Sequence, residues 1–368
     1  MNISLLLLSI LTLTAPLRAL PPKEYQKVNE VRNDSLRYDQ EVHLKNIKQL
    51  TFGGNNAEAY WSIDDQELVF QSDWSAINKA GCDQIFRMRA DGSKIDGKQY
   101  APISNGKGRT TCSYFLPDGR ILFGSTHGQM ETCPAPVLFA GNRYVWPIYK
   151  EYDVFIANPD GTDIKPFISG NGYDAEATVS PDGKYVLFTS TRSGDLELWR
   201  YEVATGDLLQ LTNELGYDGG AFFSRDSKQI VWRASRPMGE EAQKYKDLLE
   251  QGLVEPGALN IYVSDIDGKN AKKVTNLPGA NWAPFFHPDG KRILFSSNHH
   301  SMNRGGREFA IFMINLDGTG LKQITHSGTF DAFPMFSYDG KKVVFASNRN
   351  VKREPSRDTN VFIADWVE

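Results

Sequence analysis

The sequence predicts an all-β chain folded as a six-bladed β-propeller of four-stranded antiparallel blades. Three observations carry that expectation: six copies of one hairpin motif, a matching third strand after each copy, and a lone strand ahead of the first copy with no sheet of its own. The hairpins read SIDDQELVF, LPDGRILF, SPDGKYVLF, SRDSKQIVW, HPDGKRILF and SYDGKKVVF, anchored by Asp64, Asp118, Asp182, Asp226, Asp289 and Asp339. The anchors lie 54, 64, 44, 63 and 50 residues apart, close to the roughly 40–50 of a four-stranded blade once insertions are allowed.

Each element has a local cause. Pro-Asp-Gly between two β-rich runs supplies a preset φ, an aspartate that bonds its own backbone and a glycine tolerant of positive φ, so it closes a hairpin. Alternation in VLFTS, ILFSS and VVFAS puts aromatic and β-branched side chains on faces that one small sheet cannot bury, so neighbouring sheets must cover them. Third strands follow as QIFRMRADG, DVFIANPDG, ELWRYEVATG, NIYVSDIDG, AIFMINLDG and NVFIADWVE, and short fourth strands as LLQLTN, KKVTN and KQITH. The sixth copy ends after its third strand, while HLKNIKQLTFG at 43–53 is a fourth-type strand without a parent. Pairing of this N-terminal strand with the C-terminal blade is expected to close the ring and remove a bare edge. The propeller then covers 43–368.

Residues 2–20 hold an apolar run followed by a small-residue exit, which reads as a signal peptide over 1–19 with cleavage near Ala19. The run is too short to cross a bilayer, so no transmembrane anchor is expected after its removal, and residues 20–42 form a polar lead-in. The chain carries 41 Lys and Arg against 45 Asp and Glu. That balance provides no basic footprint for nucleic acid. A periplasmic or secreted monomer is expected.

The long insertions, at 72–82, 125–151, 236–259, 298–308 and 349–359, all join a second strand to a third and therefore share one side of the ring with the links between blades. Function concentrates on loops over a rigid scaffold, so this side is the candidate binding face. Candidates there are Glu58, Trp74, Asp174, Glu176, Arg192, Asp218, Arg236, Trp282, Asp331 and Arg349. The acids could hold a cation or a sugar, or they could cap turns and pair with Arg192, Arg236 and Arg349. Tyr144, Trp146 and Tyr149 join Trp74 and Trp282 as rings for ligand or core. His127, His299, His300 and His326 could converge on a divalent metal ion, the one cofactor these residues suggest, or lie apart as surface side chains. Among Cys82, Cys112 and Cys133 a Cys82–Cys112 disulfide with one thiol left over is the simplest expectation, zinc ligation being the other. Within the fourth insertion a helix is expected over about 240–251, with Ala242, Tyr245, Leu248 and Leu249 on its apolar side.

The combination of LT closing one unit, YDAEATVSPDGKYVLFTSTRSGDLELW in the next and DGTGLKQIT closing another resembles the TolB-type propeller repeat, over residues 47–368. The resemblance implies a six-bladed propeller of the bacterial cell envelope. Members carry an α/β domain ahead of the propeller, for which the roughly 28 residues between the expected cut and the first repeat leave no room. A looser similarity is to the propellers of prolyl oligopeptidase-like enzymes, whose catalytic Gly-x-Ser-x-Gly elbow does not occur in this sequence. The function expected is a non-catalytic module binding an envelope or secreted protein, a peptide or a glycan on the decorated face. The alternative is a metal-assisted glycan lyase or hydrolase using histidines and carboxylates at the channel mouth.

Overall fold

The computed structural model describes residues 36–141, 143–349 and 358–368. The signal peptide and the lead-in through residue 35 lie outside the described residues, as does 350–357 of the last insertion. Six four-stranded antiparallel sheets follow one another around a central channel. Their innermost strands are Asn56–Trp61, Thr110–Phe115, Asp174–Val179, Asp218–Phe223, Asn281–Phe286 and Asp331–Phe336, in blades 1 to 6.

The aromatic that ends each hairpin motif, Phe70, Phe123, Phe188, Trp232, Phe295 or Phe345, is buried between sheets. These are the residues the repeat placed on faces a lone sheet could not cover, and burying each is worth about 1.5–3 kcal/mol relative to exposure. The hairpin turns form as their chemistry dictates: Ser180 Oγ donates to Asp182 Oδ1 at 2.7 Å, and the Lys184 N–H donates to the same oxygen.

The ring closes as the orphan strand requires. Leu44–Gln49 pairs antiparallel with Asn360–Trp366, Leu44 opposite Trp366 and Gln49 opposite Phe362. Leu44 and Ile47 are buried against Phe336, Phe345 and Phe362. The lead-in contributes more than its polarity suggested. Glu41 is wholly buried and its carboxylate meets both terminal nitrogens of Arg349 at 3.1 and 3.2 Å, while Arg349 Nη2 also reaches Asp331 Oδ1 at 3.3 Å. The same carboxylate accepts the His326 and Tyr38 backbone N–H groups, so the N-terminal segment is latched to blade 6 by charge as well as by strand pairing.

The helix runs Glu240–Glu250 and buries Tyr245 and Leu248, the expected apolar side, with Gly252 at φ +71° just beyond it. Its insertion does not stand alone. Trp146–Pro147 of the second-blade insertion pairs antiparallel with Leu253–Val254 of the fourth-blade insertion, making a strap across the mouth of the channel.

Candidate binding site

Each innermost strand is interrupted at one place, where the register with its neighbour slips. The extra residue is the third of the strand in every blade: Glu58, Cys112, Glu176, Gly220, Ala283 and Phe333, all at φ between 42 and 59°. A bulge re-aims a side chain, and here it turns six positions toward the axis, where all six line one small chamber of about 20 Å³. Only glycine adopts such a φ without strain. The ring is chemically lopsided, acidic and thiol-bearing in blades 1 to 3 and apolar or bare in blades 4 to 6.

Arg233 lies in the gap left by Gly220, where a Cβ would fall on its guanidinium. Its Nη2 donates to Glu176 and to the Tyr217 hydroxyl, which itself donates to Glu176 Oε1 at 2.8 Å. Glu176 Oε2 accepts from Thr189 Oγ1 at 2.7 Å and from the Gly220 N–H at 2.9 Å. Glu176 is thus fully satisfied. Among the described residues the Cys112 thiol is the side-chain hydrogen-bond partner of Glu58, and burial, reinforced by the charge of Glu176, pushes its carboxyl up to about 7. Burial likewise raises the Cys112 thiol far above its usual range.

Below this ring the channel is blocked: the Tyr60 ring of blade 1 meets Phe222 of blade 4 at 5.6 Å between centroids, with Tyr114 against both. Above it opens a cavity of about 1040 Å³ on the loop-decorated face. The strap supplies Val145, Trp146 and Ile148, Tyr152 enters from the end of the same insertion, and Tyr173 and Tyr217 enter from the links between blades. Trp282, Phe309 and Phe330 form the far wall, with Trp282 edge-on to Phe333 at 4.8 Å.

Of the sequence candidates, Glu58, Glu176 and Trp282 line this cavity, together with Tyr144, Trp146 and Tyr149. Asp174, Asp218 and Asp331 are instead held in ion pairs with Arg192, Arg236 and Arg349, at 2.8, 2.8 and 3.3 Å. The pairing reading of these acids is therefore what the structure bears out. Each pair spans one hairpin, from the start of an inner strand to two residues past the end of the next. Trp74 occupies the arginine position of blade 1 and packs on Tyr100 beside Gly53 and Gly54, away from the cavity.

The expected convergence of histidines is corrected. His127 and His299 also sit at the arginine position, where Nδ1 meets Ser125 Oγ at 2.7 Å and Ser297 Oγ at 2.9 Å, and their rings lie on Phe155 and Phe312. His300 packs on the same Phe312 ring, its centroid 5.9 Å from that of His299, and His326 is held through its backbone by Glu41. Among the described residues no group of three or more His, Cys, Asp or Glu could hold a metal ion. The blade repeat sets His127 and His299 at hairpin ends of different blades, and the backbone of His326 is tied to Glu41 rather than turned to a shared centre.

The cysteine pairing is corrected too. Cys82 bonds Cys133, with Cα atoms 6.0 Å apart, and Cys112 is the free thiol. The bulge turns Cys112 toward the axis, whereas Cys82 lies in the first insertion within reach of the strap's base. Replacing Cys133 by Ser opens a crosslink between positions 51 residues apart. The expected cost is about 2–4 kcal/mol, read by denaturant unfolding, with faster amide exchange over 134–149.

Burial also raises the carboxyls of Asp218 to about 6 and Glu197 to about 8. A carboxyl whose pKa is higher folded than unfolded holds its proton more tightly in the folded chain, so its contribution is full at acid pH and is lost as pH rises through the folded value. For Glu58, Asp218 and Glu197 that window runs from about 4.5 to about 8. Thermal scans should therefore show melting temperature falling from pH 5 to pH 8, and Glu58→Gln should flatten the slope. The hairpin aspartates oppose this only in stronger acid, since the Ser62 and Ser224 hydroxyls hold Asp64 and Asp226 below the usual carboxylate range.

The sequence profile of the TolB beta propeller domain matches residues 253–354, within blades 4 to 6. Those residues carry a TolB-like propeller repeat. A Tol-Pal system protein TolB from Francisella tularensis subsp. holarctica is 28% identical over 167 residues, covering 38% of this chain and 38% of that protein. The matched region thus spans well under half of the curated relative. The crystal structure of TolB from Acinetobacter baumannii superposes with a TM-score of 0.54 at 17% identity, over 77% of this chain and 57% of that one. A protein assigned as TolB from Agrobacterium tumefaciens gives 0.52 at 14% identity, over 88% and 97%. At those identities the superpositions speak for the fold alone.

Proposed function

We propose that this TolB-like propeller is a non-catalytic binding module that works in the periplasm or outside the cell and takes a segment of a protein partner into the cavity above its channel. One observation carries the reading: the strap, the links between blades and the inner strands converge on a blind, aromatic-walled cavity of about 1040 Å³ on the decorated face. Pockets of that kind, apolar with a few placed polar groups, are the usual form of a ligand site, and Trp, Tyr and Arg dominate binding energy where partners dock. The relatives that match are named as components of a Tol-Pal system, which supports a protein partner. The leader over 1–19 would export the chain and 43–368 would act as a monomer. A glycan held on the same rings is the other ligand class, and the assay below separates the two.

The test is a pull-down from envelope extract with the intact protein, comparing Trp146→Ala and Tyr149→Ala at the cavity with Asp182→Lys and Lys341→Glu on the hairpin-turn face. Loss of a protease-sensitive partner by roughly 30-fold in the first pair alone, the effect of about 2 kcal/mol at a hot spot, is expected. Loss in the second pair instead would contradict the proposal, and a captured species that resists protease would identify a glycan.

A further inference from the structure

We propose that the floor of this cavity binds a protonated primary amine of the ligand, with the Glu58 carboxylate as its counter-charge and the surrounding aromatic faces as its walls. The inference rests on the cavity being the binding site and adds the chemistry of the group held at its base.

The other acids of the cavity lining each have a basic partner among the described residues. Asp83 pairs with Arg109 at 2.8 Å, Glu176 with Arg233, and Glu255 with Arg143 at 3.7 Å. Among the described residues Glu58 has no ion pair within 4 Å, and its Oε2 is enclosed by protein without a hydrogen-bond partner. An enclosed carboxylate oxygen without a partner is costly. So is its backbone, since Glu58 holds φ +51°, a region a long side chain enters only under constraint.

Nothing in the fold asks for an acid there. The equivalent positions of the other blades carry Cys112, Glu176, Gly220, Ala283 and Phe333, so the bulge forms with or without a carboxylate. Glu176, the other acid of the ring, has a structural task, since it neutralises Arg233 and accepts from Tyr217, Thr189 and Gly220. Glu58 has none of these. The strained backbone is common to the whole ring, so the mark particular to Glu58 is its enclosed oxygen without a partner, which a ligand would complete.

The sign of that ligand group follows from what is already neutralised. Arg233 and Arg109 are each paired to a carboxylate, and Arg307, the remaining basic side chain of the lining, is exposed on the blade 5 insertion, so an anion at the floor would face Glu58. A cation meets an unpaired carboxylate, with Tyr60, Phe222 and Phe333 around the chamber beneath it. Cations are already held against rings in this cavity: the Arg233 guanidinium lies 5.2 Å from the Tyr217 centroid and 5.5 Å from that of Trp146.

Glu58 is faced by Cys112, Glu176, Arg233 and Asp83. Burial holds the Cys112 thiol well above neutrality, and Arg233 stays cationic with its pKa raised by Glu176 and Tyr217 against the cost of burial. An amine that requires ionised Glu58 must displace its proton at low pH. With a free carboxyl at about 7, affinity at pH 5.5 should be about 30-fold weaker than at pH 8.

The test is isothermal titration of the intact protein with an N-acetylated Gly-Lys-Gly amide, with its ε-acetyl-lysine twin and with cadaverine. At pH 8 the lysine peptide is expected to bind at least about tenfold more tightly than the twin, a difference of about 1.4 kcal/mol. The gap should close at pH 5.5 and in Glu58→Gln, while the twin's weak affinity is unchanged in that variant. Should Glu58→Gln fail to fold, the pH ratio of the wild type decides alone. Cadaverine binding as tightly as the peptide would show that a free amine, rather than a chain, satisfies the site. Equal affinity for lysine and acetyl-lysine, or no binding of any probe while the pull-down still maps to Trp146 and Tyr149, would overturn this inference and leave the cavity reading standing.

Discussion

Replacing Glu41 by Ala is expected to cost about 3–5 kcal/mol, the penalty for leaving one half of a buried ion pair without the other. Arg349, almost wholly enclosed, would keep Asp331 as its carboxylate partner among the described residues and would lose both contacts to Glu41, leaving the Leu36 carbonyl as its remaining tie to the N-terminal segment. The loss should appear in urea unfolding as a lower midpoint, with amide exchange rising over 44–49 and 360–366, since these strands share the sheet that Glu41 latches. The triple variant Glu41→Ala, Asp331→Asn, Arg349→Met removes all three buried charges of the cluster and should recover much of the stability. If the single variant unfolds like the wild type, the latch contributes nothing.

Arg233→Met should cost a similar 3–5 kcal/mol by the same logic, and for a reason particular to the channel. Glu176 would face Glu58 across the ring with no cation near either, and Tyr217 would lose the guanidinium stacked near it. Since Arg233 pulls the Glu58 carboxyl down, its removal should push that carboxyl higher still. The proton uptake of Glu58 would then move to more alkaline pH, which a carboxyl-selective NMR titration reads directly. Adding Glu176→Gln should restore stability and bring the Glu58 carboxyl back down, since the charge of Glu176 adds to the burial that pushes it up.

Repetition made the architecture legible. Six hairpins with the same turn chemistry and the same buried aromatic specify the blades, and a strand without a parent at one end beside a blade short of a strand at the other specifies the closure. The Asp174–Arg192, Asp218–Arg236 and Asp331–Arg349 pairs were readable for the same reason, since they recur at the same separation.

What escaped was whatever breaks the repeat's own period. The bulge in each inner strand adds one residue, so the alternation that assigns faces fails there, and Glu58, Cys112 and Gly220 do not look like one ring. Stacking the inner strands on their starting Asn, Thr or Asp, instead of on the hairpin aspartate, lines up Glu, Cys, Glu, Gly, Ala and Phe as the variable third position. The disulfide partner of Cys82 and the strand pairing of Trp146–Pro147 with Leu253–Val254 lie between insertions of different blades, where no local pattern speaks. Glu41 looked like part of a solvated lead-in because its partner is more than three hundred residues away.

The account stands or falls on where a partner touches the ring. A photo-crosslinking phenylalanine placed singly at Tyr144 and Tyr149 beside the cavity, and at Lys184 and Lys341 on the hairpin-turn face, tests this in the intact protein mixed with envelope extract. Adducts from the first two positions and none from the last two are what a cavity-binding propeller predicts. Adducts confined to Lys184 and Lys341 would place recognition on the minimal turns and contradict it.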